Sequence, residues 1–249
     1  MKRGAIGLII PLLLLLGWEV FSRAGNLSLD VLSRPSAIAA AWFNSLMDGT
    51  LLLATWQTFE TALLGLAIAT VIGVLAGTIL GLLPLAEGIV GPTMEALRPI
   101  PAIAFMPLAL MMFGFGVAME ASIVAYACVW PILIVTIAAV RAIEPRLLEV
   151  AIVLEMPFWT RLWKIILPAA LARINVGVRI AAAIALVVAV TVEIVLNPRG
   201  LGYQLILAQQ SFRVGLMYAQ LFWLCVIGYV LNAVLHSLGG GYAGSWRSA

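Results

Sequence analysis

The sequence predicts an all-α integral membrane protein with six transmembrane helices. Of its 249 residues 64% are hydrophobic and only 10% are charged, whereas soluble domains carry about 25% charged residues. Apolar runs long enough to cross a bilayer, which takes about 20 residues, alternate with short polar segments. We place the spans at 5–23, 54–83, 88–114, 117–140, 173–196 and 214–238.

The first predicted span follows Lys2 and Arg3. Its length, and the lack of an Ala-x-Ala cleavage site after it, favour an uncleaved span over a signal peptide. Residues 24–53 are too polar to cross a bilayer and predict a short surface helix and a loop. We therefore expect one membrane domain over 1–249, with an N-terminal span and surface segment at 1–53 and a core at 54–240.

Basic residues are densest in and beside the loop that joins spans four and five. Because cytoplasmic loops are enriched in Lys and Arg, we place this loop in the cytoplasm. With six spans, both termini then lie on the cytoplasmic side. The basic residues are Arg141, Arg146, Arg161, Lys164 and Arg173.

Span two carries three glycines at four-residue spacing, Gly73, Gly77 and Gly81. This spacing places them on one helix face, where another helix can approach closely. The partner is either a neighbouring span of the same chain or a second copy across a dimer seam.

Span three is rich in proline, with Pro99 and Pro101 directly after Arg98. An interior proline removes a helix hydrogen bond, and freed carbonyls at membrane depth are tolerated only beside protein or a water-filled cavity. The pattern indicates either a discontinuous helix that lines a pathway or a cytoplasmic-side loop before a span that starts near Ala102.

Charged residues inside spans are costly in lipid, so they are candidates for the transport pathway. Glu193 lies 14 residues after Arg179, or about 21 Å along a helix, so the two cannot pair. Glu193 therefore has either a structural role or a role in the pathway or its gating. Arg98 either attracts an anion or anchors the broken helix near the headgroups. Glu120, at the start of span four, is expected at the interface.

Apolar residues of span three give a further pathway candidate. Met106 and Met112 either form an apolar constriction or pack in the ordinary way, as methionines do in cores.

The segment 145–168 separates two apolar runs and is more polar than either of them. Pro145 suits the first turn of a helix, and Pro157 begins a second short helix that Pro168 ends. The sequence therefore predicts two short amphipathic helices that turn at 155–157. Exposed aromatic residues beside an arginine are typical of protein interfaces, although two helices lying flat on the bilayer with tryptophans at headgroup level also fit.

This segment resembles the cytoplasmic loop of the permease subunits of ATP-binding-cassette importers. Their pattern begins with Glu-Ala-Ala, continues through three further residues to a glycine, and ends in Leu-Pro. The matching positions are Glu149, Ala151, Leu154, Leu167 and Pro168.

Further motifs resemble the nitrate/sulfonate/taurine branch of this family, and the resemblance covers about 35–240. They are the stretches 98–102, 105–108, 113–116, 145–149 and 177–180, together with Glu193 and 200–203.

The chain departs from the family pattern at Val150 and at Glu155, which stands where the pattern has its glycine. Glycine suits a left-handed turn, and a glutamate there costs on the order of 1 kcal/mol. We expect either a different turn or a compensating contact of Glu155 with a partner.

The resemblance implies the architecture of a type I importer permease, in which 145–168 forms the coupling helices that transmit the movement of the ATPase. It also implies two ATPase subunits, a second permease copy (as a homodimer) and a periplasmic or lipid-anchored binding protein, all at a bacterial inner membrane. The implied ATPase-coupling residues are Glu149, Ala151, Leu154, Glu155, Phe158, Trp159, Arg161 and Leu162.

No catalytic residue and no metal site are expected in this chain. It has no glycine-rich phosphate loop and a single histidine, so the partner ATPase would bind ATP and Mg²⁺. No nucleic-acid partner is expected.

The resemblance implies transport of a small organic or inorganic anion, such as a sulfonate, nitrate or an aromatic acid. The alternatives are an importer for a vitamin or pyrimidine precursor and, outside the family, a secondary transporter. A secondary transporter would show more spans or an inverted repeat, and no such repeat is visible in the sequence.

Overall fold

The computed structural model describes residues 2–24 and 32–243. Within these ranges the chain is built from α-helices, one 3₁₀ turn (Ala102–Phe105) and one π-turn (Leu162–Ile166). The α-helices are α1 Lys2–Ala24, α2 Pro35–Met47, α3 Thr50–Leu82, α4 Pro84–Leu97, α5 Met106–Phe113, α6 Val117–Arg141, α7 Pro145–Val153, α8 Phe158–Arg161, α9 Leu167–Val195, α10 Gly200–Gln210 and α11 Val214–Ala243.

Four helical segments in the described part are long and apolar enough to cross a membrane: α3, α6, the continuous segment Phe158–Val195, and Val214–Leu235 of α11. A fifth crossing is possible only if α4 and Ala102–Phe113 together form one broken span; the two are bent by 87° relative to each other. Helix α1 covers the first predicted span, but the side chains of 2–9, 11 and 12 lie outside the described residues. The all-helical class is confirmed, and the count of six spans stays a prediction.

Helices α3 and α6 pack side by side and run parallel. The contacts across the pair join residues 56 to 60 positions apart, from Thr61 with Glu120 at one end, which we call the outer end, to Gly81 with Val140 at the other, which we call the inner end. A methyl group on Gly77 would stand 2.6 Å from the Thr136 Cβ and 2.9 Å from the Leu133 carbonyl oxygen. The glycine face of span two therefore contacts α6 of the same chain.

Helix α9 completes a three-helix core against this pair. Its alanines Ala181, Ala185 and Ala189 are buried against α3 and α6. Small residues let three backbones lie close together. The resulting van der Waals packing holds helices together in lipid, where the hydrophobic effect does not.

Helices α2, α10 and α11 pack around this core. Helix α10 packs on α3 and α9 through the buried Leu201. Trp223 of α11 donates from Nε1 to the Thr55 hydroxyl of α3 at 2.9 Å. Helix α2 is the predicted surface helix, and its Ser36 donates from its backbone N–H (3.1 Å) and its hydroxyl (2.9 Å) to the Glu19 carboxylate of α1.

The second short helix does not end at Pro168, as the sequence suggested, and span five does not begin at 173. The backbone stays helical from Phe158 to Val195. The π-turn Leu162–Ile166 shifts the hydrogen-bond register, so that the Leu167 N–H donates to the Leu162 carbonyl, and Pro168 then falls in the first turn of α9.

Gly77→Ala should lower the free energy of unfolding by about 1–3 kcal/mol, because the added methyl group overpacks the α3–α6 contact. Thermal unfolding of the purified chain in detergent measures the change. Gly88→Ala is the matched control, since its new methyl group meets no atom within 4 Å. Equal melting temperatures for the two variants would contradict the close packing.

Candidate functional site

The turn after α7 keeps the left-handed geometry that glycine usually supplies. Glu155 has φ of 49°. Its N–H donates to the Ile152 carbonyl at 2.9 Å, and the Met156 N–H donates to the Ala151 carbonyl at 3.0 Å. These two bonds define a Schellman motif with Glu155 at the left-handed position. The expectation that the turn would have a different geometry is therefore wrong.

Four large apolar side chains project from this turn and form what we call the apolar tip: Val153, Leu154, Phe158 and Trp159. Val153 is 81% exposed and Trp159 is 68% exposed. The Phe158 and Trp159 rings meet edge to face at 5.5 Å. Isolated exposed apolar residues are ordinary, but a contiguous group on one turn marks a contact surface.

The predicted coupling residues differ in how far they are exposed to solvent. Glu149, Leu154, Glu155, Phe158 and Trp159 are exposed, whereas Arg161 and Leu162 are partly buried. Ala151 is fully buried within its own chain. It supports α7 from below, so a change at Ala151 would disturb the permease itself before any partner.

The break in the third predicted span is stabilised by aromatic residues. The Tyr126 hydroxyl donates to the carbonyl of Leu97, the last residue of α4, at 2.8 Å. The Tyr126 ring lies 4.4 Å from the ring of Phe105 and 5.7 Å from that of Trp130. One carbonyl at the break is thereby satisfied, as membrane depth requires.

This geometry excludes a span that begins at Ala102. Twelve helical residues, Ala102–Phe113, reach about 18 Å, well short of the roughly 30 Å hydrocarbon core. The segment is a discontinuous helix, with Pro99 and Pro101 at its break.

A cavity of about 420 Å³ lies between α4 and α6, and we call it the α4–α6 cavity. Arg98 lines it from the C-terminal end of α4. At its inner end Arg141 forms an ion pair with Glu87. The remaining lining residues are Gly91, Met94, Glu95, Trp130, Ile134, Ile137 and Ala138.

The two methionines that were candidates for a constriction are separated. Met106 is buried in a core cluster with Met119, Ile123 and Val192, where it packs in the ordinary way. Met112 is exposed and lines a smaller apolar hollow of about 180 Å³ beside Phe105.

Near the outer end of the core, a buried polar cluster joins four helices; it consists of Thr58, Thr61, Glu120, Glu193 and Asn197. The Thr61 hydroxyl and the Asn197 Nδ2 each donate to one oxygen of Glu120 at 2.5 Å. The Gly202 N–H donates to Glu193 at 2.8 Å, and the Leu201 N–H donates to the Thr58 hydroxyl at 2.9 Å. The bonds to the Leu201 and Gly202 N–H groups attach the start of α10 to α3 and α9.

Glu120 corrects the sequence analysis, which expected it at the interface: its side chain is only 1% exposed. Its partners could not be found from the sequence because Thr61 and Asn197 are distant from Glu120 in the chain. Polar residues 59 positions apart in two apolar runs were the available signal. Glu193 lies in the same cluster, where its Oε2 accepts from the Gly202 N–H while its Oε1 has no hydrogen-bond partner within the described residues. Its role, structural or in the pathway, stays a prediction.

Helix α10 approaches α9 so closely that glycine is needed at its first turn. Gly200 has φ of 86°, and any Cβ at this position would collide with the Glu193 carboxyl group. At Gly202 a Cβ would stand 2.8 Å from the Glu193 Cβ. The motif 200–202 thus serves the packing of α10 on α9.

Comparisons with known proteins show what this chain is similar to. The family model described as "Binding-protein-dependent transport system inner membrane component" matches residues 69–240. The chain is 28% identical over 232 residues (93% of this chain, 84% of the relative) to the permease protein SsuC of Bacillus subtilis (strain 168), described as transporting aliphatic sulfonates. It is 31% identical over 238 residues (94% and 89%) to the riboflavin transport system permease protein RibX of Chloroflexus aurantiacus.

The fold is also similar to a solved structure. A chain of the MetNI methionine ABC transporter, solved in inward-facing conformations, matches with a TM-score of 0.65 at 18% identity. The match covers 75% of this chain and 93% of that one.

Replacing Glu155 by glycine should stabilise the protein by about 1 kcal/mol, because glycine removes the Cβ strain of the left-handed turn. Thermal unfolding again measures the change. Glu155→Ala is the control, since it removes the carboxylate but keeps the Cβ. If both variants gained equally, the carboxylate and not the backbone would be the source of the cost.

Asn197→Ala should destabilise the protein by about 1–3 kcal/mol, because it leaves one oxygen of the buried Glu120 without its donor. Chemical or thermal unfolding in detergent provides the value. Asn232→Ala, at an exposed position on α11, removes the same amide without touching the cluster. A loss no greater than that of this control would show that the cluster does not hold α10.

Proposed function

The chain belongs to the family of binding-protein-dependent transport system inner membrane components, as a permease of the nitrate/sulfonate/taurine type, and from this membership we propose how it works. We propose that it forms, with six spans and the type I importer architecture, the translocation pathway for a small organic or inorganic anion. The membership confirms the resemblance seen in the sequence. It also makes the chain a translocation component, so ATP hydrolysis falls to a partner.

The observation that carries the proposal is the apolar tip, which lies at the very start of the continuous segment Phe158–Val195 and in the turn just before it. Between 144 and 164 the chain has three acidic residues, Glu144, Glu149 and Glu155, and three basic residues, Arg146, Arg161 and Lys164. Helices that lie flat on anionic lipid are rich in Lys and Arg on their polar face. The segment has no such excess of positive charge, which favours a protein groove over the bilayer surface.

The tip is connected to the core without an interruption. Because the helical segment Phe158–Val195 is continuous, a displacement at Trp159 moves α9 as one body. That helix carries the alanines of the three-helix core and ends with Glu193 in the outer polar cluster. We propose that α7 and α8 act as coupling helices and that α9 is the lever through which they tilt the core.

The pathway runs beside the broken span. Arg98 ends α4 at the α4–α6 cavity, where its guanidinium group is placed to attract an anion. The discontinuity at Pro99 and Pro101 lets α4 and α5 move separately when the core tilts. Met112 lies on the outer side of this break, and Met106 supports it from the core.

The working assembly we propose contains two ATPase subunits that bind ATP and Mg²⁺, a second copy of this permease and a substrate-binding protein. It lies in a bacterial inner membrane with both termini of the permease in the cytoplasm. The relative that carries riboflavin in its name supports a vitamin or vitamin precursor as the second candidate solute.

Trp159→Ala combined with Leu154→Ala should reduce the amount of ATPase subunit that co-purifies with the permease at least about tenfold. The reason is that truncating a central interface aromatic costs 2 kcal/mol or more. Quantitative co-purification of the tagged permease with the ATPase encoded beside it measures the loss.

Phe212→Ala is the control, because Phe212 is an equally exposed aromatic on the opposite side of the membrane. Its ATPase recovery should match that of the unmodified chain. Full recovery in the double variant, with unchanged ATP-driven uptake, would remove the coupling role of the tip.

A further inference from the structure

A separate hollow lies between α1, α2 and α11, and we call it the α1–α2–α11 hollow. Its volume is about 440 Å³, which is within the range of small-molecule sites. Each of the three helices contributes apolar or aromatic side chains to it. Those on which the argument depends are Leu15, Trp18, Ile38, Trp42, Tyr218 and Cys225.

The hollow lies along the first half of a membrane-crossing segment. Ser33, just before α2, lies beside the first turn of α11, because a methyl group on Gly215 would stand 3.2 Å from the Ser33 hydroxyl oxygen. The crossing segment of α11 begins at Val214, so Ser33 lies at the level of the lipid headgroups. Cys225 is 11 positions further along α11, or about 16 Å from its start. The hollow therefore extends from below the headgroups into the hydrocarbon core.

Two indole N–H groups of the lining have no acceptor. Trp18 and Trp42 both line the hollow, and the Nε1 atom of each is shielded from solvent and has no hydrogen-bond partner in the described chain. Buried Trp N–H groups usually find a partner, and leaving one unpaired is unfavourable. A ligand that brings oxygen acceptors into this apolar hollow would satisfy both groups.

A cation without a counter-ion stands at the headgroup end. Arg34 directly precedes Pro35, which begins α2 and lines the hollow. The Arg34 Nε is shielded from solvent and has no acceptor, and in the described part of the chain its guanidinium group belongs to no ion pair closer than 4 Å. The Glu19 carboxylate is already occupied, because it accepts from Arg23 and Ser36.

From these observations we infer that the α1–α2–α11 hollow binds one anionic phospholipid. Its phosphate accepts from Arg34, its ester carbonyl groups accept from Trp18 and Trp42, and an acyl chain runs along the hollow toward Cys225. The lipid fills the gap between α1 and the two other helices, and this binding site is separate from the proposed solute pathway.

The charges at the headgroup end favour an anionic lipid over a zwitterionic one. Basic sites between membrane helices bind anionic headgroups, and Arg34 supplies the basic group here. The ammonium of a zwitterionic headgroup would lie near Arg34 and would find the Glu19 carboxylate occupied by its three donors. A soluble anion could pair with Arg34 but would leave the apolar length of the hollow unfilled.

Native mass spectrometry of the full-length chain, released from detergent micelles that contain one added probe, counts the bound molecules. The probes are phosphatidylglycerol, phosphatidylethanolamine with the same acyl chains, and glycerol 1-phosphate, which has the phosphate without acyl chains. We expect one phosphatidylglycerol per chain, bound at least about tenfold more tightly than phosphatidylethanolamine, the factor expected from one charge-assisted hydrogen bond. Glycerol 1-phosphate should not be retained.

Two pairs of variants assign the headgroup and the acyl chain. Arg34→Gln should abolish the preference for phosphatidylglycerol, whereas Arg213→Gln removes the same charge from an exposed position just before α11 and should keep it. Ala39→Phe places a ring in the hollow and should weaken phosphatidylglycerol binding at least about tenfold. Ala40→Phe adds the same ring one position further on, outside the lining, and should not.

A third pair tests the indole donor. Trp18→Phe keeps an aromatic ring but removes the N–H, and it should weaken phosphatidylglycerol binding about fivefold. Trp56→Phe, at an exposed position on α3, should leave binding unchanged. Equal melting temperatures without added lipid would show that the variants are folded.

Equal binding of the two phospholipids, binding of neither, or a preference that survives in Arg34→Gln would overturn the lipid site. Displacement of phosphatidylglycerol by millimolar glycerol 1-phosphate would assign Arg34 to a soluble anion and overturn it as well. So would a dimer that Ala39→Phe dissociates without changing lipid binding, because the hollow would then be covered by a second copy. These measurements need no ATPase and no transported solute, so their outcome is independent of the coupling experiment.

Discussion

The close parallel packing of α3 on α6 is the constraint on which the rest of the structure depends. Glycines of α3 lie against α6 so tightly that a methyl group on Gly77 would overlap Thr136. In a bilayer, where lipid is as apolar as leucine, such contacts supply the association energy that water supplies elsewhere. The fixed register brings Thr61 to Glu120 at the outer end and sets the level of Arg141 at the inner end. The outer polar cluster and the α4–α6 cavity are both consequences of this register.

The two functional regions then share one mechanical path. The apolar tip continues into the helix that carries α9, and α9 is packed against the α3–α6 pair. Along the same α6 helix lie Tyr126, which satisfies a carbonyl at the break of the third span, and Trp130, which lines the cavity. In the mechanism we propose, a tilt of α9 against α6 displaces the residues at the break and in the cavity, and so couples a movement of α7 and α8 to the pathway.

Much of this arrangement could be predicted from local patterns. Apolar runs located the long helices, the glycine spacing of span two located a close contact, and Pro99 with Pro101 located the break. The rest depended on distant partners or on exceptions to local rules. Glu120 was placed wrongly because its donors lie on α3 and beyond α9. Pro168 was taken as a helix end because a π-turn that makes room for it leaves no signature in the sequence. The left-handed turn keeps its geometry without glycine because its two backbone bonds fix it.

Photo-crosslinking from position 159 in the assembled importer tests the proposed coupling contact most directly. A photoreactive amino acid at this position should form an adduct with the ATPase subunit, because we propose that the apolar tip lies in a groove of that protein. The same amino acid at position 212, on the opposite side of the membrane, should form none with the ATPase. Adducts from position 159 to lipid alone would contradict the proposed coupling role of α7 and α8, since they would place these helices on the bilayer surface.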